Sequence, residues 1–245
     1  MSGILKKEFR KEVVLVPPTS IPLSIRKKMG IGSKSGTAIG AGANGEAIRY
    51  GDRVLKATYD RYEAFAAVKL MGRRHPNVYR IFDVGKHWDV DGYGRFGPDW
   101  IFFIWQEYLD EPTSMQKAAG NAYLTFSYHG IDSNFQRIRD MAKIGPHIKK
   151  WKGKVGSFLP DIYAEFWFRY DREKEFRNVE SLFSQFLTAL EELNRGNQYL
   201  KQLGIHFYDF SEHNVMRRGK EIVIIDIGAD RVENPVEPRQ FEGAP

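Results

Sequence analysis

Three side chains late in the chain could do chemistry together: Asp209, Asn214 five residues on, and Asp226 twelve beyond that. Val215-Met216 and Ile222 to Ile225 read as two short strands. Arg217 to Glu221, centred on Gly219, is the turn between them. A hairpin of that size folds Asp226 back beside Asn214, so three oxygen-bearing groups converge at the mouth of a buried apolar strand. Such a cluster can hold Mg²⁺ together with phosphate oxygens and accept a proton from an attacking hydroxyl.

Chemistry of that kind needs a partner segment that grips phosphate. Strand patterning flanks both sides of Gly40-x-Gly42-x-x-Gly45, Gly51-Asp52 makes a second turn, and Val54-Leu55-Lys56 makes a third strand. The same glycine spacing before a helix would indicate a dinucleotide site. Here a strand follows, and a hairpin lid over phosphates fits better, because glycines let backbone N–H groups approach an anion with no Cβ in the way. Lys56, eleven residues after Gly45, is then either the phosphate-binding cation or a solvated strand lysine.

With both halves in order, the chain resembles the protein-kinase-like phosphotransferases. Asp209-x-x-x-x-Asn214 resembles their catalytic loop and Asp226-Ile-Gly228 their metal-binding turn. The resemblance spans Thr37 to Gly228. It implies an α+β, two-lobed protein-kinase-like fold, with a small antiparallel-sheet N-lobe and a reduced, mostly helical C-lobe. It implies ATP and Mg²⁺ as cofactors. Gly40, Gly42 and Gly45 would shape the phosphate lid, Lys56 would contact the α/β-phosphates, and Glu63 would orient Lys56. Asp209 would orient the hydroxyl and take its proton, while Asn214 and Asp226 hold Mg²⁺. Gln106-Glu107-Tyr108-Leu109 resembles the segment linking the lobes, so Gln106, Glu107 and Leu109 are the expected adenine contacts.

A narrower resemblance, to the early serine/threonine kinases of podoviral bacteriophages, rests on the alanine-rich glycine loop, Val-Leu-Lys56, Pro76-Asn-Val-Tyr79 and Tyr208-Asp-Phe-Ser-Glu-His-Asn-Val-Met216. It implies phosphorylation of host proteins, including those of transcription and RNA processing, and of the chain itself. The chain departs from the wider pattern in three places. Phe207-Tyr208 replaces the His-Arg before the catalytic Asp, with His206 one place too early. Ser211 replaces a catalytic-loop Lys, so the enzyme is expected to be slow unless His213 or an arginine substitutes. No Ala-Pro-Glu motif follows Gly228, where seventeen residues remain, and a C-lobe truncated after the metal-binding turn is expected.

The positioning elements are read around these motifs. A helix is expected over 59–74, with Tyr62, Phe65, Val68 and Met71 recurring every three residues. Glu63 is its sole internal acid. It either pairs with Lys56 or closes a capping box with Asp60. Strands are expected over 78–84 and 100–105, joined by a glycine-rich loop over 85–98. Between Leu109 and Asp209 lie 100 residues, which implies an insertion near 113–177. That stretch holds an aromatic cluster (Phe166, Trp167, Phe168, Tyr170) and the basic run Lys143 to Lys154, either a solvated face or a docking surface. Asn178 to Leu203 reads as a long buried helix, capped by Asn178 and ended by Gly204. Residues 233–245, with three prolines, are expected to fray.

Of 37 Lys/Arg and 31 Asp/Glu in 245 residues, eight basic and two acidic residues lie within 1–36. The remainder is balanced at 29 of each sign, so the excess charge of +6 sits in an N-terminal extension. That arm is either solubilising or a handle for an acidic partner or nucleic acid. Within it a short helix is expected over 5–12, then the apolar run Val13 to Val16, while 21–32 is basic and ambiguous. The resulting division is 1–36 extension, 37–109 N-lobe and linking segment, 110–232 C-lobe, 233–245 tail. Apolar content of 42% allows a substantial core. Cysteine is absent, no apolar run approaches a membrane span, and Met1 to Lys7 is no signal peptide, so a cytoplasmic protein is expected. Two other readings stay open: a small-molecule kinase of the antibiotic-phosphotransferase type, and a kinase-fold binding protein that engages host proteins or nucleic acid.

Overall fold

The computed structural model describes residues 23–32, 35–42, 45–89, 99–128, 179–229 and 231–241. The expected 5–12 helix, the Val13–Val16 run, the Asn178 cap, the basic run 143–154 and the aromatic cluster 166–170 lie outside them. The described chain is α+β. A six-stranded sheet has the order β1-β2-β3-β5-β4-β10, built from β1 (Thr37–Gly42), β2 (Gly45–Tyr50), β3 (Arg53–Thr58), β4 (Ile81–Asp89), β5 (Asp99–Glu107) and β10 (Arg239–Gln240). Neighbours are antiparallel except β10, which runs parallel to β4.

Strand periodicity sorts this sheet into two cores. Leu55, Ala57, Ile48, Phe103 and Trp105 face one side, where α1 (Leu23–Lys28) covers them with Ile25 and Met29. Ile104 faces the other side, under α2 (Arg61–Leu70). β5 therefore reads as an unbroken apolar run because both its faces are covered. Lys56, one residue from Leu55, is thereby directed away from the α1 core.

Beyond the sheet, α3 (Ser114–Tyr128) packs on α4 (Val179–Gln202). The α4 face includes Leu182, Phe186, Leu190, Leu193 and Leu200, all buried. Gly204 ends the helix at φ 69°, its N–H on the Lys201 carbonyl at 2.9 Å. The chain passes through β6 (Ile205–His206) to the hairpin β7 (Val215–Arg218) and β8 (Glu221–Ile224), turned at Gly219 with φ 63°. Gly196 lets α4 approach, since a Cβ there would lie 2.6 Å from Ile224 and 2.9 Å from the Asn77 carbonyl.

Several expectations are corrected. Helix α2 is shorter than 59–74, and Tyr62 and Met71 are 51% and 44% exposed. A strict period of three drifts about 60° per step, so nine residues place the two ends on opposite faces. The buried stripe is instead Glu63, Ala64, Phe65, Ala66, Ala67 and Leu70, whose small alanines let α2 lie close to the sheet. β4 starts at Ile81, because Val78 bridges to Ile224 and His75 before the strand begins. It runs on through Gly85 to Asp89, where a loop was expected. The ambiguous basic stretch forms α1. α3 opens the region read as an insertion, and its Met115, Ala118, Ala119 and Tyr123 belong to the main core.

The tail is the largest correction. Residues 231–241 are ordered against both parts of the molecule. β9 (Arg231–Val232) pairs with β6, and β10 then adds to the β4 edge. Phe241 is buried beside Phe103, over Gly85, where a Cβ would lie 2.1 Å from its ring. Glu237 reaches Arg61 at 2.8 Å and Lys86 at 2.7 Å, and Arg239 pairs with Asp83. Prolines forbid a helix here but suit an extended strap, and one aromatic side chain anchors it.

Phe241→Ala is expected to destabilise the protein by about 3 kcal/mol in urea unfolding. Gly85→Ala should act on the same contact, so the double variant should cost less than the sum of the two.

Candidate functional site

Lys56 is fixed by its strand. It stands opposite Ala47 on β2 and Ile104 on β5, with its ammonium turned toward α2. Nζ lies 2.6 Å from Glu63 Oε1 and hydrogen-bonds Asp226 Oδ1. Helix capping frees Glu63 for this role. Asp60 Oδ1 accepts the Tyr62 and Glu63 N–H groups at 2.9 and 3.1 Å, while the Asp60 N–H goes to Thr58 Oγ1. Both readings of Asp60-x-x-Glu63 therefore hold in part: Asp60 caps, but the Glu63 side chain turns inward instead of closing the box.

Asp226 is delivered by the hairpin. The Ile225 N–H donates to the Asn214 carbonyl at 2.9 Å, which sets the two segments side by side. Asp226 has φ 50°, a left-handed conformation that Asp tolerates better than most residues. Its carbonyl accepts from the Gly228 N–H at 2.8 Å, and its carboxylate stays 46% exposed toward the cleft.

The Asp209–Asn214 loop is tightly tied. Asn214 Nδ2 donates to the Asp209 carbonyl at 2.9 Å, and Asp209 Oδ1 accepts the Ser211 N–H at 3.2 Å. Phe210 anchors the loop between Tyr123 and Phe207, at ring separations of 4.6 and 4.8 Å. Helix α3 supports it from below. Asn121 Oδ1 accepts the Glu212 N–H at 2.9 Å, and a Cβ on Gly120 would touch the Phe210 carbonyl at 3.0 Å.

These parts border a cleft of about 590 Å³. Ile39, Ala47 and Val54 line one side, Met216 and Ile225 the other, and Gln106 to Leu109 the end, making an apolar slot for a flat group. Lys56, Glu63, Asp226, Gly40 and Gly45 all reach its wall. Gly42 pairs with Gly45 in the β1–β2 hairpin, and Asp209 and Asn214 lie on the neighbouring loop rather than in the wall. Gly45 has a structural reason of its own, since a Cβ there would sit 1.9 Å from the Ala57 carbonyl.

Charge at the cleft is concentrated on one ammonium shared by two carboxylates. Burial alone would lower the Lys56 pKa, but Glu63 and Asp226 outweigh it and hold it above the ordinary lysine value. Glu63, with a side chain only 3% exposed, is pushed up to about 7 by burial, against the pull of Lys56 and with a further push from Asp226. Behind them the buried Tyr79 phenol is raised well above its usual range by burial and by the same two carboxylates.

Arg218 is a residue that motif reading missed. Its guanidinium holds the Glu107 carboxylate and donates to the carbonyls of His75, Pro76 and Val78. The Glu107 carboxylate also accepts the Arg80 N–H at 2.7 Å, so this side chain serves the scaffold and only its backbone can face a ligand. Tyr108 is pinned under Arg49, 3.6 Å from the ring centroid. Nothing in the spacing of Arg218 marks it; one of two adjacent arginines in a hairpin reads as solvated until Glu107 is placed opposite.

Among solved structures, the chain is similar to a thermostable mutant of aminoglycoside phosphotransferase APH(4)-Ia, solved as a ternary complex with ADP and hygromycin B. That likeness has 11% identity and a TM-score of 0.32, over 86% of this chain and 72% of the other. So distant a likeness supports no functional conclusion. The sequence matches no protein-family model and no curated protein. Among the described residues no helix is long and apolar enough to cross a membrane.

The raised pKa of Glu63 has a measurable sign. Its folded form binds the proton more tightly than the unfolded chain does. The stability it contributes is present below its ordinary 4.5 and lost as pH rises through about 7. Without nucleotide or Mg²⁺, the wild-type urea midpoint should fall relative to Glu63→Gln between about pH 5 and pH 8. Parallel curves would remove Glu63 as the source.

Proposed function

We propose that the chain is an ATP-dependent phosphotransferase with a protein-kinase-like fold, acting on serine or threonine hydroxyls of proteins. The observation that carries this reading is the convergence of Lys56, Glu63 and Asp226, from a strand, a helix and a hairpin, at the wall of a cleft that Ile39, Ala47, Val54, Met216 and Ile225 also line. The slot between Val54 and Ile225 suits adenine, and the Gln106–Leu109 backbone borders it.

The donor set fits Mg²⁺ shared with phosphates. Among the described residues no group of three His, Cys, Asp or Glu could cage a metal. One carboxylate, Asp226, and one amide, Asn214, are what an ion completed by phosphate oxygens and water requires. Bound there, Mg²⁺ would neutralise charge on the transferring phosphate. Lys56 would hold the inner phosphates, with Glu63 keeping its ammonium in place. Asp209, on the exposed loop beside the cleft, would orient the acceptor hydroxyl and take its proton. Phe207 in place of a polar residue gives this loop a buried apolar anchor.

The resemblance to phage kinases points to host proteins of transcription or RNA processing as acceptors. A second reading, a small cationic alcohol as acceptor, draws support from the acids of the cleft wall: Glu46 and Asp60 lie there besides Glu63 and Asp226. Incubation with γ-labelled ATP and Mg²⁺, against a bacterial lysate and separately against small amino alcohols, decides between them. Asp209→Ala and Asp226→Ala should each lower transfer by at least about 100-fold, with the unfolding midpoint of Asp209→Ala unchanged. Full activity in both variants would defeat the phosphotransfer reading.

A further inference from the structure

Tyr79 lies behind the Lys56 cluster, and backbone contacts fix its place. Its N–H donates to the Ile224 carbonyl at 3.1 Å, beside the bridge of Val78 to Ile224, and Ile224 leads through Ile225 to Asp226. Phe65, Ala66 and Ala67 of α2, the helix that carries Glu63, belong to the same core. Tyr79 is 2% exposed, and among the described residues its buried hydroxyl oxygen has no hydrogen-bond partner. Burial raises the phenol pKa, the Glu63 carboxylate raises it further, and Asp226 adds a smaller push. The Ile227 N–H pulls the other way, at a geometry short of a hydrogen bond.

A hydroxyl buried without an acceptor costs free energy that a phenylalanine of the same shape avoids. Folding alone therefore favours Phe at position 79, and the oxygen calls for another reason. In front of it two carboxylates share one ammonium. Phosphates entering the cleft compete for that ammonium. Lys56 then has less to give Glu63, whose side chain is 3% exposed and has little access to water. A phenol hydrogen rotates to suit its acceptor. Its bond to a carboxylate is charge-assisted, and stronger in a low-dielectric interior than in water.

We infer that the Tyr79 hydroxyl is a positioning group for the nucleotide-loaded site, donating to the Glu63 carboxylate when phosphates draw on Lys56 and so keeping Glu63 aimed at the ammonium. The inference rests on the nucleotide reading above and adds to it a residue that touches no ligand. It is tested on the full chain by urea unfolding without nucleotide and by calorimetric titration with ADP plus Mg²⁺ and with adenosine, which has no phosphate for Lys56 to hold. Wild type should bind both. Tyr79→Phe should leave the unfolding midpoint unchanged or raise it. It should weaken ADP by about tenfold, the range of one hydrogen bond to a charged group, and change adenosine by less than about twofold. Glu63→Met fills similar space without an acceptor, so adding Tyr79→Phe to it should weaken ADP by less than about twofold more. Unchanged ADP affinity in Tyr79→Phe would overturn the inference. So would a lowered midpoint with equal loss of ADP and adenosine, which would make the hydroxyl a folding contact, and so would the full tenfold loss persisting in the Glu63→Met background. If wild type binds neither ligand, the nucleotide reading falls and takes this one with it.

Discussion

The site depends on one ammonium held between two carboxylates that the chain brings from 7 and 170 residues away. Neither contact is local, and each requires a different part of the fold to be complete. Glu63 arrives only if α2 is capped by Asp60 and lies flat on the sheet. Asp226 arrives only if the β7–β8 hairpin closes and registers beside Asn214. A buried ammonium without partners would be strongly unfavourable, and so would the buried Glu63 carboxylate. Their mutual placement therefore couples sheet, helix and hairpin into a single arrangement, and the apolar slot beside it is a by-product of the same packing.

Around this cluster the structure uses short polar side chains to fasten backbone. Asn77 is fully buried, donates to the Ile222 carbonyl at 3.0 Å, and has its own carbonyl taken by the Ile224 N–H. Arg218 gathers three carbonyls and one carboxylate at the far edge. Tyr123 joins Asn194 and Asn197 under the Asp209 loop, both at 3.1 Å. Such satisfied buried groups specify geometry more than they add stability, because desolvation cancels much of each bond. They explain how an exposed loop bearing Asp209 can keep a fixed shape.

Much of this was legible in the residues. The glycine-bearing hairpin, the strand of Lys56, the long helix ending at Gly204 and the hairpin before Asp226 follow local rules of turn chemistry and periodicity, and they stand where those rules put them. Lys56, Glu63 and Asp226 were identified by type and order and do meet. What was not legible depends on partners distant in sequence. Ala66 and Ala67 look featureless until the sheet lies against them. Gly85 looks like a loop residue until Phe241 fills the space above it. Helix α3 has small residues, Ala118, Ala119 and Gly120, whose value appears only once α4 and Phe210 press on them. The stripe through Tyr62 and Met71 was a misreading of period, not of composition.

The strap formed by residues 231–241 has a mechanical consequence. The sheet and the helical part are joined once through Glu107 to Asp110, and again where the chain leaves β9 and settles on the edge of β4. The second crossing reinforces packed contacts that already join the two parts, Val78 against Ile224 and Asn77 against Ile222 among them. Sliding the sheet over the helical part would have to pull Phe241 from its seat and break the Glu237 and Arg239 pairs as well as those contacts. The strap is thus a second seam, and it makes the spacing of Lys56 and Asp226 a property of the whole fold.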